Sequence, residues 1–494
     1  MPNIKTVLVA LITVLVVTGV VPHRATAQEV LTVESIVRQV AESDPTVINS
    51  RRTVEEAREN YALTRAGVRP NLDLEVTPYR WDQRRVITGP DTELLETTSV
   101  GLGLTLDQPL TTSGTLSAGV RNRLDVTSND TVEQVPEVTL GLNQPLFVAG
   151  NLITTEVYRA GLRAAEIAVE QAEVRDRITT NGNIQRALGL YVRVGSLRRS
   201  ILVLNRTIDV LQRQLESAEL DRQQGLISNN ALLALQVTLN NRREALLDTE
   251  LGLVQAEQDL ARALGRRSLE EGPLAEGFPA PSVASYDDAD SAPESSPDLA
   301  LQSLSVEQTE RNALLNDLQD RPRLSLAFRA APVYPETRSE PDDLSSSFDD
   351  LFADGSDWEA SFSVDVIVPL LSGRERSSRE RIDELSRLRA TTTLEDTERA
   401  VINRLETLLT NREFLTQRRE LLQVDVDYEA QRVENEETLL SAGATTALRV
   451  EEVEVDLQSR RNELWQVEAE LFLNAVDILA LAGEDLSEVL TTDR

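Results

Sequence analysis

The chain contains no cysteine, and its one histidine is His23. Without thiols it can form no disulfide, even in an oxidising compartment, and it offers no Cys/His metal site. His23 falls in an N-terminal stretch that reads as a signal, so the mature chain would also lack any histidine-based catalytic constellation. A second long apolar run is missing too. Thr6 to Val21 is apolar, Lys5 supplies the charged start, and Ala25-Thr26-Ala27 is a small-x-small cleavage site before Gln28. That run is short for a membrane helix, and no cysteine follows it to carry a lipid anchor. Residues 1–27 are therefore expected to be a secretory signal peptide. Positive charge is scarce: 50 Lys and Arg face 82 Asp and Glu, and removing Lys5 and Arg24 takes the net charge from −32 to −34. Such a chain is repelled by nucleic acid and by anionic lipid surfaces, so nucleic acid is not an expected partner. The acidic pairs Asp425/Asp427 and Asp342/Asp343 have no spaced D-x-D-x-D-G loop and no nucleophile motif near them. They read as solvated surface, and no catalytic residue, cofactor or metal is expected.

What is present is a change of period. Val30 to about Val68 has helical spacing and ends at Pro70. Leu72, Leu74 and Val76 then alternate with polar residues, as do Val100 to Leu106, Leu116 to Val120 and Val138 to Leu142. In the second half Leu324, Leu326 and Phe328 form one such strand, and Phe362 to Val368 another. Two readings stand open for these strands: a soluble antiparallel sheet with one wet face, or a barrel with lipid outside and water inside. Lengths of roughly 9–12 residues suit a tilted membrane strand. Tyr79, Trp81, Tyr334 and Trp358 lie near strand ends, where an aromatic girdle would sit. Four or six strands cannot close a pore, since barrels need about eight, so the barrel reading requires an oligomer. Asp82 to Glu96 and Glu336 to Asp357 read as exposed acidic loops.

The helices are longer than a globular core needs. Gly150 to about Gln224 contains no proline and would run on the order of 110 Å. Ile201, Leu204, Ile208, Leu211, Leu215 and Ala218 form a coiled-coil seam. After a turn at Gly225, leucines recur every seventh residue from Leu232 to Leu260. Val401, Leu408, Leu415 and Leu422 repeat the descent, Gly443 the turn, and Val450 to Ile478 the return. Gly182, Gly189 and Gly195 are candidate relaxation points in the first long helix.

The chain thus says nearly the same thing twice. Arg69-Pro70-Asn71-Leu72 recurs as Arg321-Pro322-Arg323-Leu324, and Gln144-Pro145-Leu146-Phe147 as Val368-Pro369-Leu370-Leu371. The expected domains are a first repeat over 28–272, a linker over 273–297, a second repeat over 298–484 and a tail over 485–494. Pro70 to Pro322 spans 252 residues and Pro145 to Pro369 spans 224, so the first half carries 28 extra residues. They read as an additional hairpin near 107–135, turning at Thr111 to Gly114. Its alternation suits a wall strand, whereas Pro109 and Pro136 suit strand ends or edges, and its placement stays open.

A signal, a helix, Arg-Pro-x-Leu into a strand, Gln-Pro-Leu out of one, a long helix, a Gly-Leu-x-Ser tip, a return to Ala261-Arg262-Ala263-Leu264-Gly265, and the whole again: this order resembles the TolC-like outer membrane efflux proteins. The resemblance covers nearly the whole mature chain and implies an α+β membrane protein. Three chains would close one outer-membrane β-barrel, continuous with a long periplasmic α-helical coiled-coil barrel. It implies a homotrimeric exit duct of a tripartite efflux or type I secretion system in a Gram-negative-type bacterium. The duct would contact outer-membrane lipid and work passively with a periplasmic adaptor and an inner-membrane pump. The adaptor-contacting tip turns would be Gly225, Leu226, Ile227 and Ser228, and Gly443, Ala444, Thr445 and Thr446. Some members close the entrance with acids just past the second tip, and the corresponding positions here are Arg449 and Glu452. Six strands per chain would give 18 per trimer if the extra hairpin joins the wall; the family's 12 remain if it folds over the mouth. The alternative function is a periplasmic coiled-coil adaptor or a structural envelope protein, though adaptors normally carry one helical hairpin rather than two.

Overall fold

The computed structural model describes residues 31–88, 91–128, 132–148, 151–269, 277–279, 281, 283, 295–319, 323–332, 358–367 and 373–491. The expected signal, Tyr334, the acidic loop 336–357 and the second-half motifs at Arg321-Pro322 and Val368 to Leu371 lie outside these residues, wholly or in part.

The first helical stretch is two helices, α1 (Val33–Ser43) and α2 (Pro45–Ala66), not one. Pro45 has no N–H to continue the ladder. Asp44 caps the new start by accepting from Thr46 N at 2.7 Å and Val47 N at 3.3 Å. The sheet follows: β1 (Asn71–Thr88), β2 (Asp91–Pro109), β3 (Thr115–Thr127), β4 (Val132–Val148) and a short β5 (Asn151–Leu152) paired with β4. Asp82 to Glu96 is therefore not a loop. It continues β1 and β2 as a paired hairpin, with Asp82 opposite Thr97 and Gln83 opposite Glu96.

Next come α3 (Glu156–Gln223) and α4 (Asn229–Ala263), then α5 (Pro297–Gln319), β6 (Arg323–Pro332) and β7 (Trp358–Ile367). The chain closes with α6 (Gly373–Ser441), α7 (Ala447–Leu481) and a short α8 (Leu486–Val489). The strands form one antiparallel sheet in the order β1-β2-β3-β4-β6-β7. At 68 and 69 residues, α3 and α6 each run about 100 Å. Their partners are half as long, 35 residues each in α4 and α7. The lower halves of α3 and α6 pair with α4 and α7, while α2 and α5 pack along their upper parts. Gly182, Gly189 and Gly195 all lie within the unbroken span of α3.

The seam residues turn inward. Ile208, Ala218, Leu232, Leu239, Leu260, Leu415, Leu422, Val450 and Leu457 are buried. The core sits where α4 and α7 end. There Ile36, Val37, Leu188, Tyr191, Leu260, Leu405, Ile478 and Leu486 are all at most 2% exposed. Polar links tie the halves together, two of them near the upper part of α3. Asn181 donates to Glu484 O at 2.8 Å and accepts from Leu486 N at 3.2 Å. Arg163 of α3 grips Glu307 of α5 through Nε and Nη2, both at 2.9 Å, and also bonds Glu166 and Glu170. Those bonds, Glu307's first, raise the guanidinium pKa further, and the same contact holds the Glu307 carboxyl below its ordinary value. From the linker, Phe278 stacks on Phe472 and packs at a tilt against Trp465, with ring centres 5.2 Å from each.

Candidate functional site

The sheet has two unlike faces, because side chains alternate along each strand. On one, Leu72, Leu74 and Val76 of β1 stand opposite Leu106, Leu104 and Leu102 of β2. The row continues through Ala118, Val120, Leu140 and Leu142 to Phe328, Phe362, Val364 and Val366. These are large apolar side chains in solvent: Leu74 is 64% exposed, Leu102 56% and Phe362 66%. A contiguous apolar face of this extent marks a surface that meets lipid or protein. Tyr79, Trp81 and Trp358, exposed in their turn, lie toward the end of the sheet away from the helices. The opposite face carries Ser99, Gly101, Gly103 and Thr105 on β2, hydroxyls on β7, and paired charges. Glu75 reaches over Gly103 to Arg121 at 2.7 Å, and Glu137 bonds Arg329 at 3.0 Å. A sheet apolar on one side and wet on the other, with strands of 10 to 19 residues, has the design of a transmembrane barrel wall.

At the far end of the helices the two tips share one geometry. Gly225 and Gly443 adopt φ of 77° and 71°, which favours glycine. In the first turn Leu226 N donates to Asp221 O, and in the second Ala444 N donates to Leu439 O, both at 2.8 Å. Ser228 then caps α4 by accepting from Ala231 N, and Thr446 caps α7 by accepting from Arg449 N. Ile227 and Thr445 sit between turn and cap. Leu226 is 69% exposed, and no neighbouring atom lies within 4 Å of a Cβ built on either tip glycine.

Beyond the second tip, Arg449 donates to Glu452 at 2.8 Å and stands 3.9 Å from Glu436. The hydrogen bond to Glu452 is the main reason the Arg449 guanidinium titrates above its ordinary value. The other oxygen of Glu452 accepts from Gln214 of α3 at 2.6 Å. On either side of it Glu451 pairs with Arg213, and Glu454 with Arg206 at 3.6 Å. The start of α7 is thus zipped to α3 of the same chain. The resemblance singles out Arg449 and Glu452 but not these α3 partners, which are more than 230 residues away.

A family model described as outer membrane efflux protein matches residues 120–266 and 289–484. The chain belongs to the outer membrane efflux protein family. Among solved structures, the outer membrane protein VceC of Vibrio cholerae is 13% identical, with 92% of this chain and 96% of that one covered and a TM-score of 0.62. The CmeC outer membrane channel of Campylobacter jejuni is 11% identical, with 96% and 92% covered and a TM-score of 0.62. The MtrE outer membrane channel of Neisseria gonorrhoeae, solved in an open state, is 13% identical, with 93% and 91% covered and a TM-score of 0.61. No curated protein sequence matches the chain significantly. At these identities the likeness shows the fold. The expected fold class, a barrel-forming sheet continuous with long helical hairpins, is that of these channels. The outer membrane efflux protein is thus a passive channel rather than an enzyme, placed in the outer membrane and reaching into the periplasm. Its apolar sheet face is the lipid face, and its polar face lines the channel.

Proposed function

We propose that the protein is the homotrimeric exit duct of a tripartite efflux or type I secretion system, meeting a periplasmic adaptor and an inner-membrane pump at its tips. The observation that carries this reading is the pair of matching, exposed tip turns at the end of two hairpins about 100 Å from the lipid face. Trimer closure is supported by open flanks at both levels of the chain. Among the described residues, β1 and β7 each lack a partner on one side, which a wall buried in lipid cannot tolerate. The helices line up as α4, α3, α7, α6. The two outer members carry exposed apolar stripes: Leu233, Val237, Leu247 and Leu251 on α4, and Phe414, Leu421, Val424 and Tyr428 on α6. These stripes suit the seam between one copy and the next.

The cysteine-free background allows a direct test. Leu226→Cys and Ala444→Cys should form disulfides with single cysteines on a co-expressed adaptor's helical tip, whereas Leu202→Cys, about a third of the way up α3 from that tip, should not. Equal cross-linking at all three positions, or none at either tip with adaptors of both system types, would sink the reading.

We assign Arg449 and Glu452 to the periplasmic gate. The bond from Gln214 to Glu452, with Arg213 on Glu451 and Arg206 on Glu454 beside it, ties this part of α7 to α3 and favours a closed arrangement of the two hairpins. Glu452→Gln replaces the charged acceptor of the Gln214 bond with a neutral one and frees Arg449, so open probability should rise modestly. Single-channel recordings with unchanged open probability, conductance and cation selectivity would remove Glu452 from the gate.

A further inference from the structure

The sheet uses one hairpin three times. Leu72 faces Leu106 in β1–β2, Leu116 faces Leu142 in β3–β4, and Leu324 faces Val366 in β6–β7. Each returning residue stands three places before a proline: Pro109, Pro145 and Pro369. The first two returns also share their residues. Leu104-Thr105-Leu106-Asp107-Gln108-Pro109-Leu110 recurs 36 residues on as Leu140-Gly141-Leu142-Asn143-Gln144-Pro145-Leu146. Their glutamines play matching parts. Gln108 Nε2 donates to Val68 O at 2.6 Å and to Pro109 O at 2.8 Å; Gln144 Nε2 donates to Thr112 O at 3.3 Å and to Pro145 O at 2.9 Å. Each brace ties the end of a returning strand to the segment that leads into its outgoing partner. β3–β4 is therefore a second copy of β1–β2.

This second copy is bonded into the sheet on both sides. β3 pairs with β2 from Thr115 to Thr127, and β4 pairs with β6 through Leu140 and Leu142. Its prolines fit that position. Pro109 ends β2, and Pro136 precedes Leu140, where the pairing with β6 begins, so the missing N–H costs no bond to β6 there. Its apolar face continues that of β2 through Leu116, Val120 and Leu124, with Asn122, Gln134 and Gln144 among the polar exceptions.

We propose that β3–β4 is part of the barrel wall, so that three chains of six strands close an eighteen-stranded barrel in place of twelve, and that the exit is a wide, hydrated passage for bulky polar cargo. This rests on the trimeric duct reading above. With strands about 4.8 Å apart and tilted about 40°, the backbone-to-backbone diameter is about 36 Å, against about 24 Å for twelve strands. The lining added by the hairpin is charged but balanced. Arg121 bridges to Glu75, its register partner Glu137 bonds Arg329, and Gly103 leaves room for the first bridge. A wide wall of paired charges, hydroxyls and glycines neither strips water from a solute nor selects one sign, so selection falls to the helical end.

The test images the wild-type trimer in lipid nanodiscs and labels two single cysteines, Val120→Cys and Arg121→Cys, in planar bilayers. Eighteen strands are expected. A membrane-impermeant anionic thiol reagent should reach Arg121→Cys, lowering conductance in up to three steps. It should react with Val120→Cys about a hundredfold more slowly, because a charge must enter lipid to get there. A threefold particle with twelve strands, or comparable labelling of both cysteines, overturns the wide barrel and leaves the duct intact. A particle without threefold symmetry overturns the duct reading instead.

Discussion

Leu104→Arg is expected to remove the protein from the outer membrane. Leu104 lies midway along the apolar stretch of β2, between Leu74 on β1 and Val120 on β3, and is 45% exposed on the lipid face. An arginine near the bilayer midplane costs about 2–4 kcal/mol per barrel strand, hence about 6–12 kcal/mol over three chains. That is comparable to the whole stability of an ordinary domain. The side chain cannot snorkel cheaply from this depth, because Leu102 and Leu106 flank it on the same face. The matched control is Thr105→Arg, one residue on, which turns to the channel face opposite Asp73 and Gly119. There a guanidinium meets water and a carboxylate, and trimer yield should fall little. The readout is the amount of heat-modifiable trimer in the outer-membrane fraction. Equal yields from the two variants would mean that the two faces of the sheet have been assigned wrongly.

That the sheet has two unlike faces is legible in the sequence, because alternation is a local property. Leu72-Asp73-Leu74-Glu75-Val76 declares two faces without reference to anything else in the chain. The heptads were legible for the same reason: Leu232 to Leu260 fix a stripe whichever helix covers it. What misled was composition where pairing decides. Between Asp82 and Glu96 the apolar residues come in adjacent pairs, Val86-Ile87 and Leu94-Leu95, so alternation vanishes in the sequence although backbone bonding continues from Trp81–Thr98 to Thr88–Asp91. Asp44-Pro45 was hidden inside a good helical pattern, since two helices in line share one periodicity. The partners of Glu452 were out of reach for a different reason. Gln214 and Arg213 meet α7 only once the relative heights of two long helices are set, and no local signal carries that height. The second Gln-Pro-Leu, at Gln108, was in plain sight. Its meaning depended on seeing Gln108 and Gln144 brace equivalent entries.

The height of the helices is set at the core, and Tyr191→Ala should therefore be among the most damaging changes outside the barrel. Tyr191 is 2% exposed in the cluster that also holds Leu188 of α3, Leu260 of α4, Ile478 of α7 and Ile36 of α1. Its hydroxyl donates to Leu31 O at 3.3 Å. Truncating a buried aromatic costs about 3–5 kcal/mol, the upper end applying where the surroundings cannot collapse. Collapse is hindered here because the walls are held independently. Thr32 and Ser35 cap α1 reciprocally, Asn181 pins α3 to the end of α7, and Gln39 of α1 bonds Leu264 O at the end of α4. Tyr191→Phe keeps the ring and loses one long hydrogen bond, so about 1 kcal/mol is expected. The measurement is the midpoint for loss of helical circular dichroism in the detergent-solubilised protein. Similar midpoints for the alanine and phenylalanine variants would show that the cavity closes and that the core is softer than its burial implies. A large gap between them would place the stability of both hairpins at this one knot. α4 and α7 end there, and below it α3 and α6 are held to their partners mainly by the coiled-coil seam and by surface pairs such as Arg418 of α6 with Glu470 of α7 at 3.8 Å. Such exposed pairs contribute little. Loosening the knot would then free the tips to move before the barrel is disturbed, so Tyr191→Ala should also raise the open probability of any trimer that still assembles.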